Sequence, residues 1–186
     1  MDMEKLKQAA KLIIEAVGEN PEREGLADTP ERFARMMAER LEYCSISNEE
    51  IARRFNKTFE CSDKDLVFLK DIEVFSFCEH HIALMYDMKV AVGYIPCGRV
   101  IGISKIARIA DAVTKRLQIQ ERIGEDIRAV LQMILDTPDI IVCIEGEHSC
   151  MTARGIRSIG TKTVTVSSGG LFRDFDRQQM FMGMIK

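Results

Sequence analysis

The chain contains three histidines, and all of them stand close to a cysteine: His80 and His81 in Cys78-Glu79-His80-His81, and His148 in Glu147-His148-Ser149-Cys150. Cys78 and His81 have a C-x-x-H spacing. In a turn that spacing lets both side chains reach one ion, whereas in a straight strand they would face opposite sides. Cys150 supplies a third ligand from a distant segment. Thiolate together with imidazole favours zinc over magnesium or calcium. Three protein ligands leave a fourth place for water, which is the count of a catalytic site, and zinc lowers the pKa of such a water to roughly 7. His80 and His148 then sit beside the metal without binding it, available for proton transfer near neutral pH. A structural zinc with His148 as fourth ligand is the rival arrangement. An isolated cysteine is ordinarily a small buried hydrophobe, and Cys44, Cys61, Cys97 and Cys143 are read that way.

Two helix starts carry cations where the helix dipole disfavours them. Ser104 reads as an N-cap, with Lys105 and Arg108 three apart on the first turn. Thr29-Pro30-Glu31 reads as N-cap, N1 and N2 of another helix, followed by Arg32 and Arg35. An anion at the helix N-terminus resolves the conflict. Arg154, in Ala153-Arg154-Gly155, adds a cation just after Cys150. Any one of these alone reads as a solvated surface charge. Together they suit a polyanion such as a triphosphate. Gln118-Ile119-Gln120-Glu121 places polar groups beside apolar Leu117 and Ile123. Guanine presents N1–H and a 2-amino group on one edge, and Glu121 can accept both. By itself Glu121 is also an ordinary N-terminal helix acid.

These residues need elements to position them. Leu6, Ala9, Ala10, Ile13, Ile14 and Val17 form one helical face over residues 3–17, and Gly18 stops it. A second helix starts at Thr29, and Ser47 with Glu50 forms a capping box for a short third. Residues 1–55 are therefore a helical appendage, and residues 56–186 form the catalytic domain. Segments 66–77, 85–95, 139–147 and 161–167 are rich in Val, Ile, Phe and Thr and read as strands. Residues 105–136 read as two helices broken near Gln118. The order β-β-α-α-β-β predicts an α+β fold: an antiparallel sheet with helices on one face.

Composition narrows the function. A net charge of −3 and a pI of about 5.7 argue against nucleic acid as a partner. No apolar run approaches the roughly 18 residues that span a membrane, and the charged N-terminus lacks a signal-peptide block. A cytoplasmic location is expected, and there the six cysteines remain reduced.

With these motifs assembled, the chain resembles GTP cyclohydrolase I. The resemblance runs from NPEREGLADTPERFARM through FCEHH, GYIP, VIGISKIARIAD, LQIQER, EHSCMTARGIR and TVTVSSGGLF. It implies the tunnelling fold, with four antiparallel strands and two long helices per subunit, and a homodecamer of two stacked pentameric barrels. It implies Zn2+ on Cys78, His81 and Cys150, with His80 and His148 handling protons. Glu121, with Gln120 beside it, would hold the guanine edge. Ser104, Lys105, Arg108 and Arg154 would surround triphosphate and ribose, joined by Arg32 and Arg35. Neighbouring chains would complete each pocket, at least one of Arg32 and Arg35 serving the zinc of a different subunit. The implied reaction converts GTP and water to 7,8-dihydroneopterin triphosphate and formate: water attacks C8, the imidazole ring opens, formate leaves, and the ribose rearranges and closes into the pterin ring. One stretch departs from the family: after His81 the chain reads IALMYDMKV, where many members have Pro-Phe and a Gly-Lys turn, and the run to Tyr94 is one residue longer. Two alternatives stand beside this reading. A zinc nucleoside deaminase expects P-C-x-x-C, which is missing here. A non-catalytic zinc-stabilised, ligand-binding oligomer of the same fold would release no formate.

Overall fold

Four long segments rich in apolar and β-branched residues pair into one sheet, as their patterning predicts. The structure, a computed structural model, describes residues 1–185. Three helices come first: α1 (Met3–Ala16), α2 (Thr29–Arg40) and α3 (Asn48–Phe55). They are followed by β1 (Thr58–Glu60), β2 (Val67–Cys78), β3 (Ala83–Tyr94), β4 (Arg99–Ile101), α4 (Ile103–Thr114), β5 (Leu117–Gln118) and α5 (Gln120–Leu135). The chain ends with β6 (Ile140–His148), α6 (Ser149–Thr152), β7 (Thr163–Ser168), a 3-10 turn (Gly170–Arg173) and α7 (Phe175–Ile185). The main sheet has the order β5-β2-β3-β6-β7. Its four long strands are antiparallel, and the two-residue β5 lies parallel to the end of β2. The expected α+β architecture is thus observed, with α4 and α5 breaking at Gln118.

The packing follows from period. Ile106, Ile109 and Val113 of α4, and Ile123, Ile127, Val130, Leu131 and Ile134 of α5, recur every three or four residues and are fully buried. They cover Val90 and Val92 of β3 and Val142 and Ile144 of β6. The alternate residues Ala91, Ile141 and Cys143 point to the other face, where they meet Phe172 and Phe181. Truncating one of the buried residues, such as Ile127→Ala, should cost about 2–5 kcal/mol. Toward the N-terminus, Met37 of α2 and Leu41, which follows that helix, pack on Phe77, with Leu6, Phe33 and Leu84 around them. Ile51 and Ala52 of α3 belong to the main core.

Four local features differ from expectation. Asp28 and Gly102, not Thr29 and Ser104, occupy the cap positions of α2 and α4, and neither makes a side-chain cap bond. At α4 the helix winds directly out of β4, and Lys105 N–H already donates to Gly102 O at 2.8 Å. Ser47 does cap α3, accepting from Glu50 N–H at 3.2 Å. The ribbon of β1 with β4, and helix α7, have no counterpart in the sequence reading. The apolar residues Phe175, Met180, Phe181, Met182, Met184 and Ile185 form no single stripe along α7, so periodicity does not announce it.

The IALMYDMKV stretch carries a β-bulge. Opposite β2, Val74 pairs with Met88 and Ser76 with Met85, so β3 carries one residue more than its partner. Asp87 takes that step at φ 46°, in the left-handed region that Asp tolerates better than most residues.

Candidate active site

Strand register brings the candidate residues to one end of the sheet. Cys78 closes β2 and pairs with Ala83 on one side and Gln118 on the other. His148 closes β6, opposite Met85. The Glu79–Ile82 turn and helix α6, which carries Cys150, project from that same end. Cys78 is buried, Cys150 half-buried, and His80 and His81 are exposed. The Cys78 Sγ lies 3.7 Å from His80 Nδ1. Nη1 of Arg154 is 2.9 Å from His81 Nε2. A guanidinium only donates, so this Nε2 accepts and is unprotonated. Ile82, the next residue, has φ 49°. That conformation is unfavourable for a β-branched side chain and marks a strained turn.

Among the described residues, no three His, Cys, Asp or Glu side chains converge closely enough to hold an ion. Cys78, His81 and Cys150 share one end of the sheet, but His81 faces Arg154. Their chemistry nevertheless suits zinc: two thiols that can ionise, and an imidazole whose Nε2 lone pair already accepts a hydrogen bond.

His148 is better fixed. Its Nε2 stands 2.8 Å from Oε1 of Gln120. Gln120 is buried, and its amide nitrogen donates to Ile144 O at 3.0 Å and Thr163 O at 2.9 Å. Gly146 leaves the room for this packing, since a Cβ there would meet Met88 Cγ at 2.8 Å. Burial pushes the His148 pKa down, and the nearby Glu121 carboxylate opposes the shift. The ring is therefore neutral at pH 7. Tyr86, from the divergent stretch, donates to Glu147 Oε2 at 3.0 Å and lies 2.9 Å from Thr152 Oγ1. It ties β3 to the turn that carries Cys150.

Glu121 is exposed and lines a groove of about 310 Å³ with Gly124, Glu125, Thr165, Val166 and Ser167. Gln120, its neighbour in sequence, turns inward to His148. The phosphate candidates divide into groups. Arg154 is at the Cys78 end. Arg32 and Arg35 are exposed and pair locally with Asp28 at 3.2 Å and Glu31 at 2.9 Å. Ser104, Lys105 and Arg108 start α4, a helix length away from the Cys78 end of the sheet. The chain leaves β3 at Tyr94 and returns through β4, where Ile101 N–H donates to the Tyr94 hydroxyl at 3.4 Å. α4 then runs back toward Cys78, so that Ser76 Oγ donates to Thr114 O at 2.7 Å. α4 has 12 residues, and at about 1.5 Å per residue its start lies roughly 18 Å from its Thr114 end.

Sequence reasoning passed over Glu79, Arg122 and Tyr86, and read Gln118 only as a polar break between two helices. Gln118 and Arg122 stand four apart, and Arg122 Nε donates to Gln118 Oε1 at 2.7 Å. That i, i+4 spacing was the available signal.

Known proteins resemble this chain along nearly its whole length. The family model for GTP cyclohydrolase I matches residues 6–186. A GTP cyclohydrolase 1 of Clostridium botulinum (strain Loch Maree / Type A3) is 54% identical over 178 residues, covering 92% of this chain and 91% of that protein. Those of Ruminiclostridium cellulolyticum and Clostridium acetobutylicum are 51% and 48% identical, covering 93% and 95% of this chain and 92% and 93% of theirs. An archaeosine synthase QueF-Like in the apo form aligns at a TM-score of 0.47 and 24% identity, over 57% of this chain and 95% of that one, a likeness too distant to bear on the reaction. The match of sequence over almost all the chain, on an architecture that gathers CEHH and EHSC at one end of the sheet, has one outcome: the chain belongs to the GTP cyclohydrolase I family.

Proposed function

We propose that the protein converts GTP and water to 7,8-dihydroneopterin triphosphate and formate, at a zinc held by Cys78, His81 and Cys150. The observation that carries this reading is the register that brings these three residues, with His80 and His148, to one sheet end. When bound, zinc supplies Lewis acidity and lowers the pKa of water. The chain's own residues do the rest. Glu121 accepts the N1–H and 2-amino protons of guanine from the groove beside β7. His148, donating through Nε2 to Gln120, keeps Nδ1 as a base, and His80 provides a second imidazole beside Cys78. Arg154 leaves His81 for the triphosphate, which frees the Nε2 lone pair for the metal.

Ser104, Lys105 and Arg108 begin α4 at the end away from the Thr114–Ser76 contact that lies beside their own chain's Cys78. We therefore infer that each pocket takes its α4 start from a neighbouring chain. The open edge of β7, with Val164 and Val166 exposed, supports edge-to-edge assembly, and a decamer of two pentamers accommodates it. Arg32 and Arg35 complete the cationic set by exchanging Asp28 and Glu31 for phosphate. No helix among the described residues is long and apolar enough to cross a membrane, and a reducing cytoplasm suits thiolate ligands. The test is incubation with GTP, following formate and, after oxidation, pterin fluorescence. Cys150→Ser should lose both products and its zinc. Tight stoichiometric zinc in that variant would remove Cys150 from the ligand set.

A further inference from the structure

We propose that Arg122 and Gln118 are positioning residues that hold the Cys78–His81 turn in place for its metal, gripping it through Glu79. This rests on the ligand set assigned above. Glu79 lies between the two ligands of the C-x-x-H pair and is held twice. Its backbone N–H donates to Gln118 O at 3.0 Å. Its carboxylate accepts from Arg122 Nη2. The same Arg122 nitrogen also donates to Leu117 O at 3.2 Å, while Nε reaches Gln118 Oε1 at 2.7 Å.

A bare surface ion pair would orient nothing, and the Arg122 and Glu79 side chains are 41% and 36% exposed. The difference lies in what stands behind Arg122. Gln118 is 1% exposed, and its amide nitrogen donates to Val113 O at 3.2 Å and Asp126 Oδ2 at 3.0 Å. Asp126 also accepts from Arg116 Nη1 at 3.2 Å and Asn48 Nδ2 at 2.9 Å. Arg116 is in turn anchored to Ile46 O at 2.7 Å and Tyr43 O at 3.2 Å. The exposed guanidinium is thus the outer end of a polar chain rooted between α3, α5 and the end of α4. Partners of this kind, standing behind metal ligands, fix their orientation.

Charge and geometry make opposite predictions, and so they can be separated. Removing the positive charge of Arg122 should by Coulomb's law strengthen zinc binding. Removing a clamp should weaken it. The experiment strips the full-length assembly of metal and measures zinc affinity by competition with a chromogenic chelator, with melting temperature recorded for every variant. Arg122→Ala should bind zinc roughly 10–100-fold more weakly than the parent. Arg122→Lys, which keeps the charge but cannot bridge Glu79, Gln118 and Leu117 together, should fall between them. Combining Glu79→Gln with Arg122→Ala should weaken binding no further than the worse single change. At saturating zinc, turnover in the Arg122 variants should recover, since the metal then holds the turn itself. Zinc binding in Arg122→Ala equal to or tighter than the parent's overturns the proposal. If Arg122→Ala fails to fold, parent-like affinity in Arg122→Lys overturns it instead. Cys150→Ser separates the two levels: if it binds zinc like the parent, the ligand set fails and the clamp with it. If Cys150→Ser loses zinc while both Arg122 variants keep it, only the clamp fails.

Discussion

Gln120 determines which nitrogen of His148 carries the proton. Its amide nitrogen donates to the carbonyls of Ile144 and Thr163, so Oε1 must be the group that faces His148 Nε2. The ring then donates from Nε2 and keeps Nδ1 as its base. Gln120→Leu should lower thermal stability by about 1–3 kcal/mol. It should also cut GTP turnover by on the order of 10²–10⁴, the usual weight of general acid–base catalysis. Zinc content should stay at the parent level. Melting, turnover and metal analysis on one preparation check all three, and full turnover would free His148 from this assignment.

The start of α4 lies a helix length, roughly 18 Å, from the Thr114–Ser76 contact beside Cys78, and the proposed sharing of α4 between chains predicts complementation. Lys105→Ala and Cys150→Ser should each be inactive alone. Co-expressed, they form mixed assemblies in which some pockets draw Lys105 from one chain and the metal set from another. Partial activity should return. Verified mixed assemblies as dead as either parent would place both residues in one chain's pocket.

Glu121 should select guanine. Adenine lacks N1–H and the 2-amino group, so it leaves the carboxylate without donors. Sites built around such bonds discriminate by roughly 10⁴ or more. Glu121→Gln should lose GTP turnover while retaining zinc, and steady-state kinetics near the parent's would remove Glu121 from the base site.

Tyr86→Phe removes the hydroxyl that joins Glu147 and Thr152 across the turn holding Cys150. Zinc affinity should drop about tenfold, with a stability loss of about 1 kcal/mol. Chelator competition and thermal melting measure the two effects, and unchanged affinity would show that the Cys150 turn holds itself.

Cys143 should resist alkylation. Burial raises its pKa from 9.0 to about 11, with Glu145 adding to the shift. The folded thiol thus ionises later than the unfolded one. Its contribution to stability is complete below pH 9.0 and is lost as pH rises toward 11. Of the cysteines expected to be buried, only Cys143 is, while Cys44 and Cys97 are exposed, so at pH 8 mass mapping after brief iodoacetamide treatment should find Cys44 and Cys97 modified and Cys143 intact.

Much of this molecule was legible in the sequence because period decides its elements. Alternation in Thr163–Ser168 and the three-to-four spacing of Ile123, Ile127, Val130 and Ile134 predicted strand and helix directly. The spacing of His80, His81 and His148 near Cys78 and Cys150 pointed to one end of the sheet, where the strand register places Cys78 and His148. Sequence spacing could not reveal that α4 brings its Thr114 end, and not its Lys105 end, to Ser76 beside Cys78, because that depends on which way α4 runs after β4. Nor could it reveal the grip of Arg122 on Glu79, a tertiary contact between residues 43 positions apart. Gln120 shows the same limit: beside Glu121 in sequence, it faces the opposite way, because successive residues of a helix do not share a face.

The proposed sharing of α4 also makes catalysis depend on protein concentration. On that proposal a lone chain carries the metal end of one pocket and the phosphate end of another, with no whole pocket of its own. Its core is complete without a neighbour, since α4 and α5 already cover the sheet. Dilution below the assembly constant should therefore yield folded chains that do no chemistry, and specific activity should rise more than linearly with the amount of protein until the assembly is saturated.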